Sequence, residues 1–306
     1  MSMLKQTRRQ FIQSTLATTA VGIAAHSSLS SAVAAPVVKA RSAGDKVSIG
    51  KTGITPSFLA QGTGVHGSAR SSDHTRMGQQ AFDRLLRHSL DQGVSFLDMA
   101  DLYGTHPFVR QTLKGMPRDK FVYLSKIWPR KENWVTPSTD AVEEINRFRK
   151  ELGIERLDIA LLHCMLNGQW ADQYESLRDG LSKLKDEGAV GAVGVSCHNH
   201  DALKVAAAHP WVDVIFARIN HKGGSEYSCD GTVEEISSTL RMARANGKFV
   251  VGMKIFGEGK LTSPEDKDAS LRYVTSNNLV DAITIGMRKT EEIDDTVQRL
   301  QQALKA

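Results

Sequence analysis

Four residues of unlike chemistry each close a short apolar run. Asp98 ends the stretch Ser95-Phe96-Leu97, with Tyr103 five residues further on, Lys126 follows Val122 to Ser125, and His163 follows Ala160-Leu161-Leu162. Singly, each has an ordinary structural use: a histidine at a strand end is commonly just hydrogen-bonded, and Asp–Lys pairs often only hold a fold. Together, an acid, a phenol, an ammonium and an imidazole on one rim make a proton donor. A lysine cation beside a phenol lowers its pKa, and an acid holds the lysine in place. A tyrosine near pKa 10 is otherwise a poor acid–base group at neutral pH.

These residues can converge only if the elements carrying them do. Apolar runs recur at Phe58–Ala60, Ser95–Met99, Phe121–Ser125, Leu157–Leu162, Ala192–Val195, Val212–Ala217, Phe249–Met253 and Ala282–Ile285. Between them lie segments with helical spacing, among them Ala81–Leu90, Tyr174–Glu187 and Val233–Ala245. Gly93, Gly153, Gly188 and Gly247 stand where helices end, and Thr136-Pro137 reads as a cap followed by a first-turn proline. Eight such units predict an α/β fold, a single-domain (β/α)8 TIM barrel, with chemistry at the C-terminal ends of the strands. A small hairpin over Val47–Thr55, its turn bracketed by Gly50 and Gly53, precedes it.

Gly62-Thr63-Gly64-Val65-His66-Gly67 fits the dinucleotide pattern G-x-G-x-x-G. That fold needs a helix starting at the glycines and an acid about 20 residues on. Here a polar loop follows, and the next strand-end acid, Asp98, comes some 30 residues after Gly67. A glycine-rich loop bordering a barrel site is the better reading.

At these residues the chain resembles the aldo-keto reductase family. The family's Phe-x-Asp-x-Ala-x-x-Tyr-Gly segment is matched by Phe96 to Gly104, its strand-end lysine by Lys126, its strand-end histidine by His163, and its opening strand by Gln61-Gly62-Thr63-Gly64. The resemblance runs from about Val47 to Leu304. It implies a barrel that binds a nicotinamide cofactor without a dinucleotide-binding domain and acts on a small carbonyl or alcohol substrate. Tyr103 would give a proton to the carbonyl as hydride arrives, Lys126 would lower its pKa, Asp98 would pair with Lys126, and His163 would orient the carbonyl.

The resemblance also implies cofactor contacts. Ser196, in Gly194-Val195-Ser196-Cys197, falls where the family holds the nicotinamide carboxamide, but Cys197 replaces an amide residue. Asn220 and Arg218 end the sixth strand, and Arg218 either lines the site or faces outward. Lys254, Gly257, Gly259 and Lys260 match the loop that covers the pyrophosphate. Arg288 and Lys289 stand where the family reads the 2′-phosphate, which favours NADP(H) over NAD(H).

The 306 residues carry 39 Lys and Arg against 34 Asp and Glu, a formal charge of +5. With 41% hydrophobic residues the chain is not disordered, and no stretch of about 18 apolar residues marks it as a polytopic membrane protein. Residues 1–34 contain no acid. Arg8 and Arg9 precede a mildly apolar stretch, Phe11–Ala25, and Ala32-Val33-Ala34 has the small-x-small form of a cleavage site. This predicts a twin-arginine-type signal peptide over 1–34, a linker over 35–46, the barrel over 47–306, and export to the periplasm by the twin-arginine machinery without stable membrane insertion. Cleavage would remove Lys5, Arg8 and Arg9 and take the charge from +5 to +2. No Lys/Arg run remains to imply a nucleic-acid partner. The three cysteines, Cys164, Cys197 and Cys229, form no Cys-x-x-Cys pair, so no metal site is implied, and pairing of Cys164 with Cys197 is left open.

Three functions follow. One is an exported NADP(H)-dependent aldo-keto reductase. A second, of another class, is a barrel that has lost turnover and acts as a periplasmic binding or scaffold protein. A third is a different enzyme on the same fold, using a tightly held cofactor exported with the protein.

Overall fold

Short β-branched and aliphatic runs leave their N–H and C=O rows unpaired when isolated, and closing the sheet on itself pairs them all. The computed structural model describes Ala40, residues 42–132 and residues 136–305. The export signal read in residues 1–34 lies outside the described residues. Within them the chain runs β1 (Leu59–Gly62), α1 (Asp73–Arg76), α2 (Gln79–Asp91), β2 (Phe96–Asp98), α3 (His106–Thr112), β3 (Val122–Ile127), α4 (Ala141–Leu152) and β4 (Leu157–Met165). It continues through α5 (Trp170–Gln173), α6 (Glu175–Asp186), β5 (Val190–Cys197), α7 (His200–Ala208), β6 (Val214–Arg218), α8 (Val233–Ala245), β7 (Phe249–Met253), α9 (Pro264–Ser276), β8 (Ala282–Ile285) and α10 (Thr290–Lys305). Each strand pairs in parallel with the next, and β8 returns to β1, giving the predicted closed eight-stranded barrel.

Alternation along the strands builds two apolar layers. Ala60, Phe96, Leu124, Ile159, Leu161, Phe216 and Val251 fill the barrel, while Leu59, Leu97, Leu162, Val195, Ile215 and Ile283 pack outward among the helices. Each fully buried side chain of this size contributes roughly 1.5–3 kcal/mol. Before β1, Val47 N–H donates to Pro56 O at 2.9 Å and Ile49 N–H to Ile54 O at 3.0 Å, closing the predicted hairpin. Ile49 and Ile54 join the interior layer, so the hairpin caps the N-terminal end of the barrel. A cleft of about 640 Å³ opens there, between the hairpin and the starts of β2 and β3.

The fourth helix starts later than Thr136-Pro137 predicts. Its cap is Asp140, whose carboxylate accepts from Val142 N–H at 2.7 Å and Glu143 N–H at 3.1 Å. Asp140 satisfies two of the end's free donors, which Thr136 could not do from four residues away. The four helix-end glycines all lie at positive φ, between 70° and 81°.

Candidate active site

β2, β3 and β4 deliver Asp98, Lys126 and His163 to one end of the barrel, and Tyr103 arrives on a single helical turn, Asp101–Tyr103, just beyond β2. Lys126 is 2% exposed, a burial that an ammonium tolerates only when paired. Its Nζ forms an ion pair with Asp98 and donates to Met99 O at 2.8 Å. The second Asp98 oxygen accepts from Thr284 Oγ1 at 2.7 Å, across β1 from β8. The lysine is thereby fixed 5.1 Å from the Tyr103 ring centroid and 5.2 Å from that of Phe216.

Tyr103 Oη lies 3.4 Å from His163 Nε2, the two rings meeting edge to face at 85°. Trp128 packs edge-on against the other side of His163, at 5.3 Å between centroids. His163 Nδ1 is buried without a hydrogen-bond partner among the described residues. The histidine owes its aim to a bulge in β4. The register with β5 shifts between Leu162 and Met165, and Cys164 takes φ +66°. Such an extra residue re-aims a side chain out of the regular alternation. Ser196 Oγ accepts the freed Cys164 N–H at 2.8 Å.

The electrostatics run differently from the sequence expectation. Burial, with the Asp98 charge adding to it, pushes the Tyr103 phenol well above its usual value, where Lys126 was expected to lower it. Lys126 is itself pulled below the usual lysine range, because burial outweighs the attraction of Asp98. Burial, and then the nearby Lys126 and His198, hold His163 well below 6.5. The site therefore keeps a neutral phenol beside a neutral imidazole.

A polar network fixes the turn that carries Tyr103. Asp101 accepts from Arg147 Nη1 at 2.8 Å and pairs with Arg70 at 3.4 Å. Glu151 ties Arg70, Arg147 and His106 together at 2.5, 3.0 and 2.8 Å, and His106 Nε2 lies 2.8 Å from Ser125 Oγ, one residue before Lys126. Above the phenol lies the glycine-rich loop. A methyl group at Gly64 would overlap the Tyr103 ring, and one at Gly67 would come within 2.5 Å of it. These glycines are thus explained by close approach to the tyrosine, and the helix after them starts only at its Ser72 cap. Gly64→Ala is expected to displace the ring and cut turnover roughly 10²-fold, as an ångström-scale misplacement does. Steady-state kinetics alongside a thermal melt would check this, since unchanged turnover would mean the loop does not set the tyrosine.

The residues read as cofactor contacts are dispersed and engaged. Ser196 accepts from Cys164 and keeps its own O–H to donate. Asn220 spends its whole amide on its own loop, donating to Tyr227 O and Lys254 O and accepting from Lys222 N–H and Gly223 N–H. Arg218 clamps Asp230 and donates to His198 O at 3.0 Å. Lys254 pairs with Glu258, a turn at Gly257–Gly259 follows, and Lys260 donates to Glu226 O. Burial raises the Glu258 carboxyl, yet hydrogen bonds from Lys254 and Ser228 hold it down at about 2. Arg288 reaches Asp73 at 3.0 Å, beside Arg76 and His66, and Lys289 is exposed. Cys164, Cys197 and Cys229 are free thiols. Among the described residues no group of three His, Cys, Asp or Glu side chains stands together as a metal site, and no helix is long and apolar enough to cross a membrane.

The donor set fits a nicotinamide cofactor. Tyr103 Oη lies beside His163 Nε2, the Ser196 hydroxyl keeps a proton to donate, and the His198 ring stands 6.5 Å from that of His163. Among the described residues the Lys260 ammonium is held by a neutral carbonyl alone, a weaker partner than a charged phosphate oxygen.

A profile of the Aldo/keto reductase family matches residues 65–305. The chain is 27% identical over 132 residues to a protein from Glycine max named as an aldo-keto reductase, a match that spans 41% of this chain and only 38% of that relative's length. It is 25% identical over 241 residues to the NADH-specific methylglyoxal reductase of Escherichia coli (strain K12), covering 73% of this chain and 71% of the relative. Among solved structures, one from Pseudomonas aeruginosa assigned to the aldo-keto reductases superposes with a TM-score of 0.70 at 20% identity, covering 88% of this chain and 99% of that one. The aldo-keto reductase from Klebsiella pneumoniae in complex with NADPH gives 0.62 at 17% identity, covering 86% and 90%. At such identities these two likenesses concern the fold.

Proposed function

The chain belongs to the aldo/keto reductase family of NAD(P)H-dependent oxidoreductases, and on that premise we propose that it interconverts a small carbonyl compound and its alcohol with NADP(H), Tyr103 being the proton donor. The observation that carries this is the buried Lys126–Asp98 pair beside a neutral phenol and a neutral imidazole.

A bound nicotinamide supplies the hydride. The chain's part is to place the carbonyl and move a proton. The carbonyl oxygen would be received between Tyr103 Oη and His163 Nε2, polar atoms of two groups that stay uncharged. As negative charge builds on that oxygen it becomes a stronger base than a phenolate, so Tyr103 releases its proton despite its raised pKa. The phenolate left behind is stabilised by the Lys126 ammonium, which Asp98 and Met99 O hold in place beforehand. In the alcohol-oxidising direction the same groups run in reverse.

Ser196, Lys260, Arg288 and Lys289 would hold the cofactor, with the exposed Arg288 and Lys289 offering cations to a 2′-phosphate beside the Asp73 and Glu292 carboxylates. Titrating the protein with NADPH and with NADH by fluorescence quenching tests this reading. Tighter binding of NADPH is expected, and binding of neither would overturn it.

The pH dependence has a definite sign. His163 lies well below 6.5, so acidification to pH 6 does not charge it, and Tyr103 lies well above 10, so pH 9 does not ionise it. These two groups therefore give reductive kcat/KM no limb between pH 6 and 9, and a fall at the alkaline end is expected only from Lys126, whose ammonium burial holds below the usual lysine range. A limb centred near 6.5 would show that His163 titrates.

Arg8-Arg9 and Ala32-Val33-Ala34 support export to the periplasm through the twin-arginine machinery, with the cofactor already bound. Replacing both arginines with lysine should retain the protein in the cytoplasm. Unchanged export would point to another route.

A further inference from the structure

Cys197 stands where the resemblance expects an amide to hold the nicotinamide carboxamide, and the structure turns it away from the site. It is fully buried in the apolar layer between barrel and helices. The next residue, His198, lies at the rim. Its ring sits 6.5 Å from that of His163 at an interplanar angle of 70°, and its ring nitrogens make no hydrogen bond to the described residues.

The backbone of His198 is held tightly for a residue past a strand end. Its N–H donates to Met165 O at 2.9 Å, and its carbonyl accepts from Arg218 Nη2 at 3.0 Å, with Arg218 locked by Asp230. Its charged neighbours are Arg218 on β6, Lys254 and Glu258 on the β7 loop, and Lys126 at the reacting end, where His163 also lies. Burial, and then Arg218 and Lys254, hold the imidazole at about 3. A neutral imidazole has one N–H donor and one nitrogen acceptor, which is the pairing a primary amide offers.

A nicotinamide seated beside Tyr103 and His163 would lie within reach of the His198 ring, whose centroid stands 6.5 Å from that of His163. We propose that His198 hydrogen-bonds the nicotinamide carboxamide and orients the ring, filling the role that Cys197 cannot. This rests on the nicotinamide-cofactor reading above. It also gives a use to the Arg218–Asp230 pair, which fixes the backbone of the residue that reads the ring.

The test compares two ligands on three proteins. NADPH, and adenosine 2′,5′-bisphosphate, which lacks the nicotinamide, are titrated by fluorescence quenching or displacement into wild type, His198→Ala and His198→Gln. His198→Ala is expected to weaken NADPH about tenfold, the loss of one good hydrogen bond, and to leave the bisphosphate unchanged. His198→Gln, with an amide's donor and acceptor, should recover most of that loss. Equal weakening of both ligands, no weakening of NADPH, or a Gln variant no better than Ala would each overturn the assignment. Wild type binding neither ligand would overturn the cofactor reading itself, whereas wild type and His198→Ala binding NADPH alike would remove only the role of His198.

Discussion

Tyr103→Phe is expected to lower carbonyl reduction by about 10³-fold or more while leaving NADPH affinity within about twofold. The substitution removes one oxygen and keeps the ring that Gly64 and Gly67 press against, so the loop above and the turn below have no reason to move. What is lost is the sole hydroxyl within reach of His163 Nε2, at 3.4 Å among the described residues, and with it the proton that must reach the substrate oxygen. His163 cannot substitute as a charged acid, because burial and the surrounding cations keep it neutral. Single-turnover kinetics on the nucleotide-loaded variant separate the two effects. Turnover close to wild type would assign the proton to another group.

Lys126→Met should be damaging in two ways that can be measured apart. The methionine fills similar volume, but among the described residues it leaves the 7%-exposed Asp98 carboxylate with Thr284 alone as a side-chain partner. Stranding one member of a buried pair costs about 3–5 kcal/mol, so the urea midpoint should fall clearly. Activity should drop by roughly 10²–10³-fold as well, since the charge that steadies the phenolate is gone. The double variant Asp98→Asn/Lys126→Met removes the stranded charge and should recover much of the stability while remaining inactive. A single variant as stable and active as wild type would mean that the pair neither anchors the barrel nor serves the phenol.

The barrel and the tetrad were legible because strand periodicity decides which residues end a strand, and strand ends in this fold share one rim. β7 and β8 begin and end where the apolar runs do. What escaped depends on partners distant in sequence. Thr284 supports Asp98 from 186 residues away, and nothing local to either residue announces it. The bulge that aims His163 shows only in the register against β5. The sign of the Tyr103 shift was misjudged because adjacency of a lysine is visible in a motif and the depth of burial is not. The amide of Asn220 proved committed to its loop, where spacing shows only that an amide stands at a strand end. His198 lay one residue beyond the recognised segment, and the clue available in the sequence was that Cys197 had broken the pattern.

The central claim is that this barrel transfers hydride to a carbonyl carbon. Its most direct measurement mixes the purified protein with NADPH deuterated at the transferable position of C4 and a panel of small aldehydes and ketones, and reads the carbinol product by mass spectrometry. The account predicts one deuterium on the carbinol carbon for at least one member of the panel, stoichiometric with nucleotide oxidised and absent with Tyr103→Phe. Tight nucleotide binding with no label transferred to any carbonyl would contradict it, and would leave a barrel that binds without turning over.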